Sequence, residues 1–142
     1  MTTAAVHAPA IDQSRRRTRL FICLGAAAAA TVVYLVAVPA LGVDVQVPES
    51  PGSTVKDTLP LAAVVMMGLL SSFAGWGALA VLERITAKAL TIWTALALLV
   101  LAGSLPYMPG YTAGERAVLA TMHLALGAVL IVGLRRTATT TA

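Results

Sequence analysis

Four runs of apolar residues decide what this chain can fold into. Residues 20–41, 59–82, 89–105 and 117–134 contain no Asp, Glu, Lys or Arg. Roughly 20 apolar residues in helical form cross the ~30 Å hydrocarbon layer of a bilayer. The first two runs reach that length, the fourth comes close, and the third, with 17 residues, is short. Lipid offers no water to peptide groups, so each run must satisfy its own backbone as a helix. The expected fold is all-α, an integral membrane bundle of four transmembrane helices running up-down-up-down over residues 20–136. Residues 1–19 are expected to form a disordered basic cytoplasmic tail, and 137–142 a second cytoplasmic tail.

Composition supports the same class. Hydrophobic residues make up 58% of the chain and charged ones 11%, against about 25% charged in soluble domains. Ten Lys and Arg against six Asp and Glu leave a net charge of +4. Such an excess could suit nucleic acid, but its placement points to membrane topology instead. Arg15, Arg16, Arg17 and Arg19 precede the first run, Arg84 and Lys88 separate the second from the third, and Arg135 and Arg136 follow the fourth. Only Lys56 and Arg116 fall on the other side. Positive loops stay inside, so both termini are expected in the cytoplasm of a bacterial plasma membrane. Tyr107 and Tyr111 then belong at the outer interface, and Phe21 and Trp93 near the inner one.

The stretch "SRRRTRLF" before a long apolar run resembles a twin-arginine export signal. Signal cores run about 7–15 residues, and this run is longer, so an uncleaved first helix is expected. The outer connection "VDVQVPESPGSTVKDT" is polar, and its "VDVQV" alternates with period two, which weakly signals a short extended piece. The connection "ERITAK" is short enough to make an antiparallel helical hairpin of the second and third runs.

Reactive chemistry has few carriers here. Cys23 is the single cysteine, which excludes an internal disulfide and a cysteine-rich metal site. Phosphate-loop, dinucleotide and zinc-protease motifs are absent. No cofactor, no metal and no enzymatic activity are therefore expected. His123 is the one ionisable group inside the fourth run. A ring nitrogen facing lipid is costly, so His123 should turn inward and find a partner. Depth matching nominates the Tyr34 hydroxyl, or failing that a backbone carbonyl of a neighbouring helix. In the second run, Gly68, Ser71, Ser72 and Gly75 fall with Leu79 on one stripe at 100° per residue. Small residues let membrane helices approach closely, so this stripe reads as a packing seam rather than a polar path.

The pieces "YLVAVPALGVD", "GWGALAVLER", "WTALALLVLAGSLP" and "MHLALGAVLIVGL", in this order and spacing, resemble an uncharacterised family of small four-helix bacterial integral membrane proteins. That resemblance implies a four-helix fold in the plasma membrane and brings no activity or site with it.

The expected role is a structural or accessory subunit that packs through small-residue faces against a second copy or another membrane subunit, with lipid bilayer and not nucleic acid as its surroundings. The alternatives are a transporter or channel component, which would normally show intramembrane charges or broken helices, and a redox protein ligating haem through His123.

Overall fold

The computed structural model describes residues 8–49, 53–105 and 111–137, with side chains from residue 13 onward. Four helices carry the chain: α1 (Ala8–Leu35), α2 (Leu61–Ile85), α3 (Ala89–Ser104) and α4 (Ala113–Thr137). Between α1 and α2 lies an antiparallel pair of short strands, β1 (Gln46–Pro48) and β2 (Lys56–Thr58), in register Gln46↔Thr58. The alternation in "VDVQV" thus marks a strand. Its partner β2, which has no comparable pattern, was not legible.

Helix α2 runs past its expected end to Ile85, and α1 and α4 extend further beyond theirs. Helix α1 begins at Ala8, so much of the tail expected to be disordered is helical. Helix α4 begins at Ala113 and reaches Thr137, several residues beyond the apolar run at its start. Both extensions are polar, and hydrophobicity was the signal used to draw the limits. Helices α1, α2 and α4 are long and apolar enough to cross a membrane, whereas α3 has only 16 residues, about 24 Å at 1.5 Å each. Tyr107, expected at an interface, and the tail after Thr137 lie outside the described residues.

Pro39 shapes the end of α1. A proline has no N–H to donate, and its ring collides with the carbonyl four residues earlier. The chain responds by widening into a π-helical turn over Val36–Ala40. Leu41 N–H then reaches the Val36 carbonyl at 3.1 Å, and Val43 N–H reaches that of Ala37 at 3.0 Å. Gly42 follows at φ +67°, the left-handed conformation glycine takes without steric penalty.

Helix α1 packs against both α2 and α4, and α3 against the same two helices. Two buried clusters lie along this assembly. One, at the end bearing the strands, joins Tyr34, Val45, Val64, Val118 and Met122. The other, at the end bearing Arg19, joins Cys23, Ala26, Leu79, Trp93, Leu130 and Leu134. Trp93 is 3% exposed within this second cluster, at the end of the assembly where the sequence placed it.

The strand pair is tied to the helices at two points. Tyr34 Oη donates to the Leu59 carbonyl at 2.6 Å, just after β2. Glu115 does more, from the first turn of α4. Thr112 and Glu115 form a capping box: Thr112 N–H donates to Glu115 Oε2 at 2.5 Å, and Glu115 N–H to Thr112 Oγ1 at 3.3 Å. Such reciprocal bonds satisfy amides that a helix start leaves open. The second carboxylate oxygen accepts Gln46 N–H of β1 at 3.3 Å. Lys56 Nζ of β2 lies 3.8 Å from Glu115 Oε2 and 4.7 Å from the centre of the Tyr111 ring. A single carboxylate, 4% exposed, therefore joins both strands to α4.

Removing it should loosen that junction. Glu115→Ala is expected to lower stability by about 2 kcal/mol, since it leaves the part-buried bonds to Gln46 and Thr112 unmade, and Thr112→Ala by about 1 kcal/mol as a lost cap. Hydrogen exchange at Gln46 N–H should accelerate in Glu115→Ala and stay unchanged in the exposed neighbour Arg116→Ala. Equal exchange in the two variants would remove Glu115 from this role.

Candidate functional site

The small-residue stripe of α2 lies mostly inward. Gly68 and Ser72 are buried and Gly75 is half-buried. A Cβ on Gly68 would stand 3.3 Å from Ala27 Cα and Cβ, so α2 meets α1 backbone to backbone there. At Gly75 a Cβ would stand 3.0 Å from Leu130 Cδ2 of α4 and 4.0 Å from the Trp93 ring of α3. Trp93 Nε1–H donates to the Gly75 carbonyl at 2.8 Å, which draws α3 onto the same spot. Two glycines thus place α2 in touch with each of the other helices. In the alanine run of α1, Ala26, Ala27 and Ala30 are buried, while Gly25 is exposed.

Ser71 departs from the expectation and is exposed. It stands about 60° from Gly68 around the axis, on the stripe's far edge from Ser72. An amphipathic stripe drawn from residue size alone cannot tell its inward edge from its outward one. Ser72 is fully buried, and its hydroxyl oxygen has no hydrogen-bond partner among the described residues. Beside it the Cys23 thiol donates to the Ser72 carbonyl at 3.4 Å. A serine hydroxyl is a poor nucleophile without an adjacent base, so this pair reads as packing.

His123 is half-buried, and its Nδ1 lies 2.7 Å from the Leu119 carbonyl one turn earlier in its own helix. The expected pair with Tyr34 is not formed, because the Tyr34 hydrogen goes to Leu59. Nor is the bonded carbonyl on a neighbouring helix. Depth matching placed the two residues at one level but took no account of the Leu59 carbonyl, which follows β2 and accepts the tyrosine hydrogen. Among the described residues, no group of three or more His, Cys, Asp and Glu is arranged to hold a metal ion.

An ion pair at the end opposite the strands went unread. Arg19 Nη1 and Nη2 donate to the two oxygens of Glu83 at 2.8 and 2.6 Å. Its Nε donates to Thr137 Oγ1 at 3.0 Å, and Nη2 also to the Thr137 carbonyl at 3.3 Å. One guanidinium on α1 thereby holds the last turns of α2 and α4. The planar fork of arginine matches a carboxylate in this two-point manner, and lysine does not. In the sequence Arg19 was one of four arginines in a basic cluster, with nothing to single it out. The Glu115 cap did leave a signal, the T-x-x-E spacing of "TAGE".

A sequence-family model described as a family of unknown function (DUF6069) matches residues 11–140. The chain belongs to this family. Its match runs from the helical segment before the first apolar run to beyond the end of α4, so Arg19, Glu83, Glu115 and the whole α2 stripe lie inside the family's domain. No curated protein and no solved structure shows a significant match to the chain. The domain of this DUF6069 member is thus described by two ties and a seam.

Both are open to measurement. Gly75→Leu should cost about 1–3 kcal/mol by forcing Leu130 and Trp93 aside. Gly77→Leu should be tolerated, since nothing lies within 4 Å of a Cβ placed there. Equal thermal midpoints in detergent would count against the seam. For the tie, Arg19→Lys should lower stability by about 2 kcal/mol, because a point charge cannot reach both Glu83 oxygens and Thr137. Arg17→Lys, at an exposed position, serves as the reference and should change it by less than about 0.5 kcal/mol.

Proposed function

We propose that this chain is a non-enzymatic, multi-pass protein of the bacterial plasma membrane, with both termini cytoplasmic, serving as a structural or accessory subunit. The observation that carries the reading is an exterior as apolar as the core. Large apolar side chains face outward, with Met66, Leu70, Leu99 and Val100 each at least 64% exposed, while Gly68 and Ser72 are inside. Water would make such a surface an aggregation liability; hydrocarbon makes it the natural boundary. On this reading the four helices run up-down-up-down, and α3 crosses a locally thinned layer or leans on its flanking residues.

The accessory role draws support from α2. Ser71, left outside the core, shares an exposed face with Ala74 and Ala78. Small residues on a lipid-facing stripe permit close approach by another helix, either of a second copy or of a different subunit.

Orientation follows from charge, with eight of ten basic residues at one end. In a Cys23→Ala background, Ser53→Cys is expected to react with an impermeant thiol reagent in intact cells, and Ala87→Cys to be protected. The reverse pattern would invert the topology. For the accessory role, Ala74→Cys in the same background should give a discrete crosslinked species in native membranes. Absence of that species, with an assembly size unchanged in Ala74→Leu, would overturn it.

A further inference from the structure

Helix α3 changes partners along its length. At its start, Trp93 Nε1–H donates to the Gly75 carbonyl of α2 at 2.8 Å. About two turns further on, Leu101 packs against α4, its Cδ2 lying 3.0 Å from where a Cβ of Gly127 would stand. The row of α2 that holds Gly75 continues outward in four-residue steps through Ser71 to Met67. Gly75 is half-buried, yet Ser71 is exposed and Met67 is 59% exposed. At that level α3 has left α2, and a gap opens between the two helices toward the end bearing the strands.

His123 stands behind this gap. Leu119 and Gly127 flank it at about 40° on either side around the α4 axis, and both are buried, whereas His123 itself is only half-buried. Its direction falls between that of Leu130, which meets Gly75 of α2, and that of Gly127, which meets Leu101 of α3. The thin place on the inward face of α4 is thus the inner end of the gap.

The imidazole has one nitrogen engaged and one open. Nδ1 lies 2.7 Å from the Leu119 carbonyl, and a carbonyl only accepts, so Nδ1 carries the hydrogen. An ionised ring is costly among apolar residues; in the uncharged ring Nε2 is then a bare acceptor. Among the described residues nothing donates to it. A metal ion is a poor complement, since no group of three or more His, Cys, Asp and Glu is gathered among those residues. Carboxylates and phosphate diesters bring no hydrogen. A primary ammonium brings a charge to a point about 9 Å beyond Ala117, the first residue of the apolar run. A hydroxyl is neutral and donates.

We propose that the gap between α2 and α3 admits a neutral lipid alcohol, whose hydroxyl donates to His123 Nε2 while its apolar body lies past Ser71 and Met67 into the bilayer. The site rests on the membrane reading above, since the gap must open into hydrocarbon.

The test places the full chain, with His7→Gln so that one imidazole is observed, singly in nanodiscs of dioleoyl phosphatidylcholine, a lipid without a donor, and reads the nitrogen resonance of His123 Nε2 by NMR. Before any addition it should report a bare acceptor. Oleyl alcohol should shift it saturably, and oleyl methyl ether should bind on the order of tenfold more weakly, as the loss of one hydrogen bond to a part-buried acceptor gives. Ser71→Leu, at an exposed position, fills the mouth of the gap and should weaken the alcohol by a similar factor with an unchanged thermal midpoint. In His123→Phe, native mass spectrometry should find alcohol and ether retained equally. Dioleoylglycerol, run beside oleyl alcohol, separates a glyceride source from a single-chain one, the tighter of the two naming it. No shift with either alcohol overturns the site, as does an equal response to the ether. A bonded resonance before any alcohol is added gives the acceptor to water and overturns the proposal, and one that appears only when two chains share a disc overturns it in favour of a second copy. Recovery of the chain in the soluble fraction of cells would instead refute the membrane reading, a separate outcome from any of these.

Discussion

Helices that carry large apolar side chains outward as well as inward cannot be held in register by hydrophobicity alone. Where the surroundings are as oily as leucine, helices associate through close packing and through the few polar bonds they can complete. Both devices are present and occupy different places. The middle of the structure relies on proximity, with Gly68 against Ala27 and Gly75 against Leu130. The two ends rely on polar ties, Arg19 to Glu83 and Thr137 at one and Glu115 to both strands at the other.

Much of the helical order was legible, because it follows from hydropathy and length. The start of α3 at Ala89 and the inward placement of Gly68, Ser72 and Gly75 agree with the sequence pattern. What escaped was polar pairing across distance. Arg19 and Glu83 are separated by 64 positions, and a lone chain gives no means of matching one arginine among four to its carboxylate. Tyr34 was matched to the wrong acceptor for a related reason, since its true partner is a backbone carbonyl at Leu59 that no residue type announces. The inward turn of Trp93 was not legible either, since it depends on a donor finding the Gly75 carbonyl of another helix.

The glycines divide by function in a way that residue identity conceals. Gly77 and Gly75 are two positions apart, yet one faces open space and the other is pressed against Leu130. Gly133, not noticed in the sequence, is tighter still, for a Cβ there would lie 2.6 Å from Ile22 Cγ2. The α1–α4 contact is thus as dependent on a missing side chain as the seam of α2.

The π-helical turn at Val36–Ala40 has a further meaning as a phase shift. Such a turn holds one residue more than an α-helical path of the same length. Everything after it is rotated by about 100° relative to an unbroken helix. Val45, 1% exposed, and the carbonyl of Leu59 reach their places against α1 only with that offset included. Shortening the turn by one residue would restore regular α-helix and swing the strand pair about a quarter-turn off its seat. Length in this short segment is therefore as tightly specified as any side chain, and the proline that forces the widening acts as the marker of the frame.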